Sequence, residues 1–210
     1  MVHVCPLTIS HQPLTIEMDK IRTFIAVRLP AEVRRRLMSI EERLMESRAD
    51  VKWVPEENFH ITLKFLGPVE HERIAAVCEA VECAVTGVEP FEMTFAGVGA
   101  FPRPSSPRVV WVGTTSGADE MKSLAGRIEN AMEVLGFPKE DRPFSGHVTL
   151  GRVRSPRATE KLRDCIERLR DEQAGSAQVD GVSVMKSELF RSGSEYSSIA
   201  DLGFQIDQKP

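Results

Sequence analysis

The 210-residue sequence predicts an α+β protein made of two related sheet-and-helix lobes. The tetrapeptide His60-Ile61-Thr62-Leu63 returns 87 residues later as His147-Val148-Thr149-Leu150, each copy ending a run that reads as a strand and each followed by a helical stretch. Strand-like runs outnumber stretches with helical spacing. Several are joined by connections too short for a helical crossover, which disfavours a doubly wound parallel sheet.

The elements follow in order. Residues 22–29 (RTFIAVRL) are rich in β-formers, and Pro30 stands where a first helical turn would begin. Val33, Leu37, Ile40 and Leu44 then repeat at helical spacing, with arginines and glutamates on the solvent side. Residues 51–54 and 59–66 read as strands joined by a Pro55-Glu56-Glu57-Asn58 turn, the second stopped by Gly67-Pro68. A helix from Glu70 carries Ile74, Val77, Cys78, Val81 and Val85 in its buried seam and ends at Gly87. Phe91, Met93 and Phe95 alternate with more polar neighbours, and residues 109–112 are an apolar run. Between them 99–108, rich in proline and carrying two arginines, reads equally as a binding loop or an irregular hairpin loop. Met121, Leu124, Ile128, Ala131 and Leu135 mark a third helix ended by Gly136, and Leu162, Cys165, Ile166 and Leu169 a fourth. Residues 179–189 and 196–204 close the fold as strands, Tyr196 being read as a sheet residue with its hydroxyl at the rim.

Composition narrows the function classes. With 41% hydrophobic and 28% charged residues the chain supports one substantial core, or two small lobes sharing one. A net charge of −4 argues against a protein that coats nucleic acid through overall charge, so any such site is local. Cys5, Cys78, Cys83 and Cys165 show neither a C-x-x-C pair nor metal-ligand spacing with the histidines, which points to free thiols in a reducing cytoplasm. No apolar run approaches the ~20 residues that span a bilayer, and no export signal is visible. Residues 1–17 lack a sustained period and Met18 reads as an alternative start, leaving 18–207 as a single domain.

In residues 59–65, Phe59, Ile61, Leu63 and Phe65 fall on one face of the strand and His60, Thr62 and Lys64 on the other. The same parity groups His147 with Thr149. Two such strands facing each other make a cage of two imidazoles and two hydroxyls. Two imidazoles across a small cavity can divide a phosphoryl displacement, one taking a proton from water and one giving a proton to the departing oxygen, each role worth roughly a hundredfold to ten-thousandfold. Threonine hydroxyls suit the nonbridging oxygens, and the scheme needs no metal and no cofactor. Arg152 is placed by strict alternation on the opposite face, so phosphate contact requires a twist or a bulge at Gly151; a surface arginine is the equal alternative. Residues 139–157 hold five basic side chains against two acidic, a local patch suited to an RNA end.

These residues resemble the two-histidine (2H) phosphoesterase superfamily, in its RNA 2′,3′-cyclic phosphodiesterase branch, also called 2′-5′ RNA ligase. The stretches that carry the resemblance are RTFIAV, VKWVPEENFHITLKFLG, FxMxFxGVGAFP, PRVVWVG, FSGHVTLGR and SELFRSGSEY. The resemblance implies a bilobal fold with the two motifs facing across a pseudo-twofold axis in a central groove. It implies opening of 2′,3′-cyclic phosphates at RNA ends to 2′-phosphomonoesters, and in some members joining of tRNA halves. By it, His60 protonates the leaving O3′, His147 activates water, and Thr62, Thr149 and Arg152 bind phosphate. The expected protein is a monomer acting on RNA ends. Gly146 departs from the family, which often has proline there. Other readings are 2′-5′ ligation or 2′-5′ oligonucleotide cleavage by the same cage, and a non-catalytic RNA-end binder. A serine hydrolase built on Ser145 fails for want of a G-x-S-x-G elbow.

Overall fold

The computed structural model of the chain describes residues 20–191 and 193–205, and the 1–17 extension lies outside the described residues. Those described form nine strands and four α-helices, and every strand pairing among them is antiparallel. The strands are β1 (Lys20–Arg28), β2 (Val51–Trp53), β3 (His60–Glu70), β4 (Phe91–Arg103), β5 (Ser106–Thr114), β6 (His147–Val153), β7 (Gln173–Val179), β8 (Gly181–Leu189) and β9 (Ser194–Gly203). The helices are α1 (Ala31–Met45), α2 (Ile74–Val85), α3 (Ala118–Val134) and α4 (Thr159–Arg168).

All nine strands belong to one sheet, ordered β7-β4-β5-β6-β3-β1-β8-β9, with β2 also on β6. The two lobes are therefore halves of one curled sheet, β3-β1-β8-β9 and β6-β5-β4-β7. They join where Ile61 pairs with Val148. Each is the middle residue of its H-x-T motif, so the pseudo-twofold axis passes between them.

Side-chain alternation explains the layers. On β1, Ile25 and Val27 enter the main core, while Phe24 and Ala26 turn to the other face and meet Met185 and Tyr196. The apolar stripe Val33, Leu37, Ile40 and Leu44 of α1 is buried as its spacing requires, as are Ile74, Val77, Val81 and Val85 of α2. Helices α2 and α3 pack on each other and against β9 and β3 of one half, and α1 and α4 on each other and against β7, β4 and β5 of the other, and a single core runs through both.

Of the two readings of 99–108 the structure shows the hairpin, its strands running to Arg103 and from Ser106 with Pro102 opposite Pro107. Strand β7 pairs only with Phe91–Ala96 of β4, so at this tip the missing proline N–H costs no ladder bond. Gly67-Pro68 does not end β3: Gly67, at φ +71, takes a register shift against β1 and the strand continues to Glu70. A 3-10 turn at His71–Arg73 then delays α2 to Ile74. Finally, β7 (QAGSAQV) had no strand pattern of its own, since its composition is poor in β-formers and its place on β4 comes from pairing alone.

Candidate active site

A groove of about 480 Å3 opens on the face of the sheet where the two motifs meet, and His60, Thr62, His147, Thr149 and Arg152 all line it. Extending the Ile61–Val148 antiparallel pair by one residue each way sets His60 across from Thr149 and His147 across from Thr62. The cage thus arises from neighbouring strands of one sheet.

The two imidazoles are held in the same way. His60 donates from Nδ1 to the Asn58 carbonyl at 2.7 Å, and His147 donates from Nδ1 to the Ser145 carbonyl at 2.7 Å, each carbonyl lying two residues upstream. A carbonyl can only accept, so Nδ1 carries the proton and Nε2 is the atom free to exchange one. His60 Nε2 stands 3.0 Å from Thr62 Oγ1. Each ring also meets an aromatic edge to face: Tyr196 against His60 at 5.4 Å, Phe101 against His147 at 5.1 Å. Asn58 further donates to the Ser194 carbonyl at 2.8 Å, tying the start of β9 to the segment that orients His60.

Burial pushes both imidazoles below their ordinary range. At His60 the Asn58 carbonyl opposes this and the charge of His147 adds to it. At His147 the Ser145 carbonyl opposes it and the Arg152 guanidinium adds to it.

Strict alternation fails at equivalent points of the two strands. The β1–β3 register slips by one between Thr62 and Lys64, leaving Leu63 extra, and the β5–β6 register slips by one between Thr149 and Gly151, leaving Leu150 extra. Each motif therefore ends on a bulge at its leucine. The second bulge brings Arg152 round to the groove and resolves the parity conflict. The first does the same for Phe65, which is 59% exposed on the groove rather than buried with Ile61 as expected. Lys64 correspondingly leaves the histidine face. It is buried and donates from Nζ to Glu129 at 2.6 Å and to the Pro138 carbonyl at 2.8 Å, while the Glu140 N–H donates to the same Glu129 oxygen at 2.9 Å. This clamp anchors the segment that leads to Ser145 and His147. Gly151 has no side chain because β2 crosses there: a Cβ would stand 2.6 Å from Val51 Cγ1.

Arg142 lines the groove. Arg154 and Arg157 are exposed and do not line it. Tyr196, on β9, lines the groove. At Gly146, a Cβ would meet Thr114 Oγ1 at 3.0 Å, so a proline here requires Thr114 to yield. Among the described residues no three His, Cys, Asp or Glu side chains converge, and no helix is long and apolar enough to cross a membrane.

Comparison with known proteins bears on the same residues. The family model described as LigT-like phosphoesterase matches twice, over residues 27–111 and 112–196, one copy for each motif. The chain is similar to the RNA 2′,3′-cyclic phosphodiesterase of Methanothermobacter thermautotrophicus (35% identity, 86% of this chain, 97% of that protein). It is similar also to those of Archaeoglobus fulgidus (36%, 85% and 97%) and Thermotoga maritima (35%, 88% and 96%). In fold it resembles the crystal structure of TT0787 of Thermus thermophilus, at 27% identity and a TM-score of 0.76 over 90% of this chain and all of that one.

Proposed function

The chain belongs to the LigT-like phosphoesterases, and from that premise we propose that it hydrolyses RNA 2′,3′-cyclic phosphate ends to 2′-phosphomonoesters, with His60 as acid and His147 as base. The observation that carries this reading is the matched pair of Nδ1 bonds, which turns two Nε2 atoms to one groove. Water attacks phosphorus as His147 Nε2 takes its proton, and His60 Nε2 gives a proton to O3′ as the P–O3′ bond breaks. Proton count balances over the step, and the two imidazoles exchange states. The guanidinium beside His147 disfavours its protonation, which suits a base. Thr62, Thr149 and Arg152 hold the nonbridging oxygens, where charge accumulates. Phe65 offers an aromatic face to the terminal base.

Run with an RNA hydroxyl in place of water, the same steps join two ends through a 2′-5′ linkage, so tRNA halves fall within the substrate class. We take the working form as a monomer in the cytoplasm, with residues 18–207 as its single domain and no metal or cofactor in the steps.

The test is hydrolysis, in EDTA, of an oligonucleotide ending in a 2′,3′-cyclic phosphate by the native protein, His60→Ala and His147→Ala. The expected result is a 2′-phosphate from the native protein and a loss of at least about a hundredfold in each variant, with circular dichroism unchanged. Binding without turnover by the native protein would replace the enzyme with an RNA-end binder.

A further inference from the structure

A second cavity, of about 220 Å3, adjoins the groove, and the mechanism above does not use it. The two share Asn58, His60 and Tyr196 as walls, so His60 stands between them. The second cavity has an apolar side, from Leu29, Phe59 and Met185, and carries Arg28 and Arg34.

Neither guanidinium is fully engaged. Arg34 donates from Nη1 to the Leu29 carbonyl at 3.1 Å, lies 3.9 Å from Glu56, and holds a buried Nε with no hydrogen-bond partner. Arg28 lies 3.6 Å from Asp201, beyond hydrogen-bond length. Glu57 also lines the cavity, so with Glu56 and Asp201 three carboxylates lie around the two guanidiniums, and the donor left without a partner is Arg34 Nε. A guanidinium that keeps an unpartnered donor beside an apolar wall suits a phosphodiester carrying a sugar or base.

The chemistry of ring opening gives this cavity a direction. The departing O3′ belongs to the ribose, so the nucleoside lies on the His60 side of the reacting phosphate, and the strand continues 5′-ward from there. The second cavity begins on that side. We propose that it is a subsite for the phosphodiester one nucleotide upstream of the cyclic end, held by Arg34 and Arg28. The protein would then read the end of an RNA strand and discriminate against an isolated cyclic nucleotide. This rests on the phosphodiesterase reading above.

The experiment compares three substrates: a nucleoside 2′,3′-cyclic phosphate with a free 5′-hydroxyl, the same compound with a 5′-phosphate, and a dinucleotide with a cyclic end. The native protein is expected to favour the dinucleotide over the free nucleoside by about tenfold or more in kcat/KM, the 5′-phosphate recovering much of that gain. Arg34→Gln is expected to shrink the ratio at least about fivefold; Arg28→Gln, on a side chain 57% exposed, is the second variant should the first fail to fold. Equal kcat/KM for all three substrates overturns the proposal. So does a dinucleotide preference that 5′-phosphate does not share, or one that neither variant diminishes. Failure of the native protein to hydrolyse any of them would instead refute the phosphodiesterase reading itself.

Discussion

On the proposed reading Arg152→Met removes a charge that acts on two partners, the substrate phosphate and His147. The first loss lowers kcat/KM by roughly tenfold to a hundredfold. The second changes the pH profile with a definite sign. The guanidinium and burial together hold the His147 imidazole low, so without the guanidinium its pKa rises and the base becomes protonated at higher pH. The acidic limb of kcat/KM is therefore expected to move upward in Arg152→Met and to stay in place in Arg152→Lys, which keeps the charge but loses the fork. A limb unmoved in the methionine variant would mean that Arg152 acts on phosphate alone. At this scale His60, Thr62, His147 and Thr149 were legible, because the duplicated pattern and a period of two suffice to place them. Arg152 was legible only through the family resemblance, against strict alternation, and the faces of Lys64 and Phe65 were not legible, since one bulge residue inverts every later side chain and nothing in the spacing of that strand announces it.

Lys64 matters through the segment it holds. Lys64→Met keeps the volume but leaves the Glu129 carboxylate without its cation, and is expected to cost about 3 kcal/mol of stability by denaturant unfolding. It should also lower kcat more than it raises KM, because the chain entering His147 loses its anchor. The double change Lys64→Met with Glu129→Met should restore stability and leave kcat low; recovery of both would reduce the clamp to a fold element. Helix α1 carries a different buried charge. Glu41 is 1% exposed, Oε2 has no partner, and burial lifts its pKa from 4.5 to about 8, against the pull of the Val54 backbone. The folded state thus binds a proton that the unfolded state releases between those values. Stability from this group is present below pH 4.5 and is lost as pH rises through 8, by roughly 3–4 kcal/mol from pH 5 to pH 8. Glu41→Gln should flatten that fall in unfolding measured at the two pH values. The helices were readable from their stripes, whereas β7 was not, because a strand made by its neighbour leaves no pattern in its own residues.

At the scale of the molecule, the halves meet at one residue pair yet share a continuous core, so unfolding is expected to be a single transition. A chain beginning at Met18 is expected to keep the native Tm and kcat; loss of either would give residues 1–17 a role in the fold. The sequence revealed that there were two halves but not how they meet, because a repeat states equivalence and leaves the join to tertiary packing. That join carries a consequence for the product. A twofold cage has no preferred sense toward a five-membered cyclic ester: turned end for end, the ring presents O2′ where O3′ had been. Beyond histidine and threonine, the two strands bring different side chains to the groove, Leu63, Lys64 and the exposed Phe65 from one and Arg152 from the other. On the proposed reading the exposed aromatic ring of Phe65 on one side and the Arg152 cation on the other are expected to give the ring its sense, so that the regiochemistry of opening follows two residues that transfer no proton.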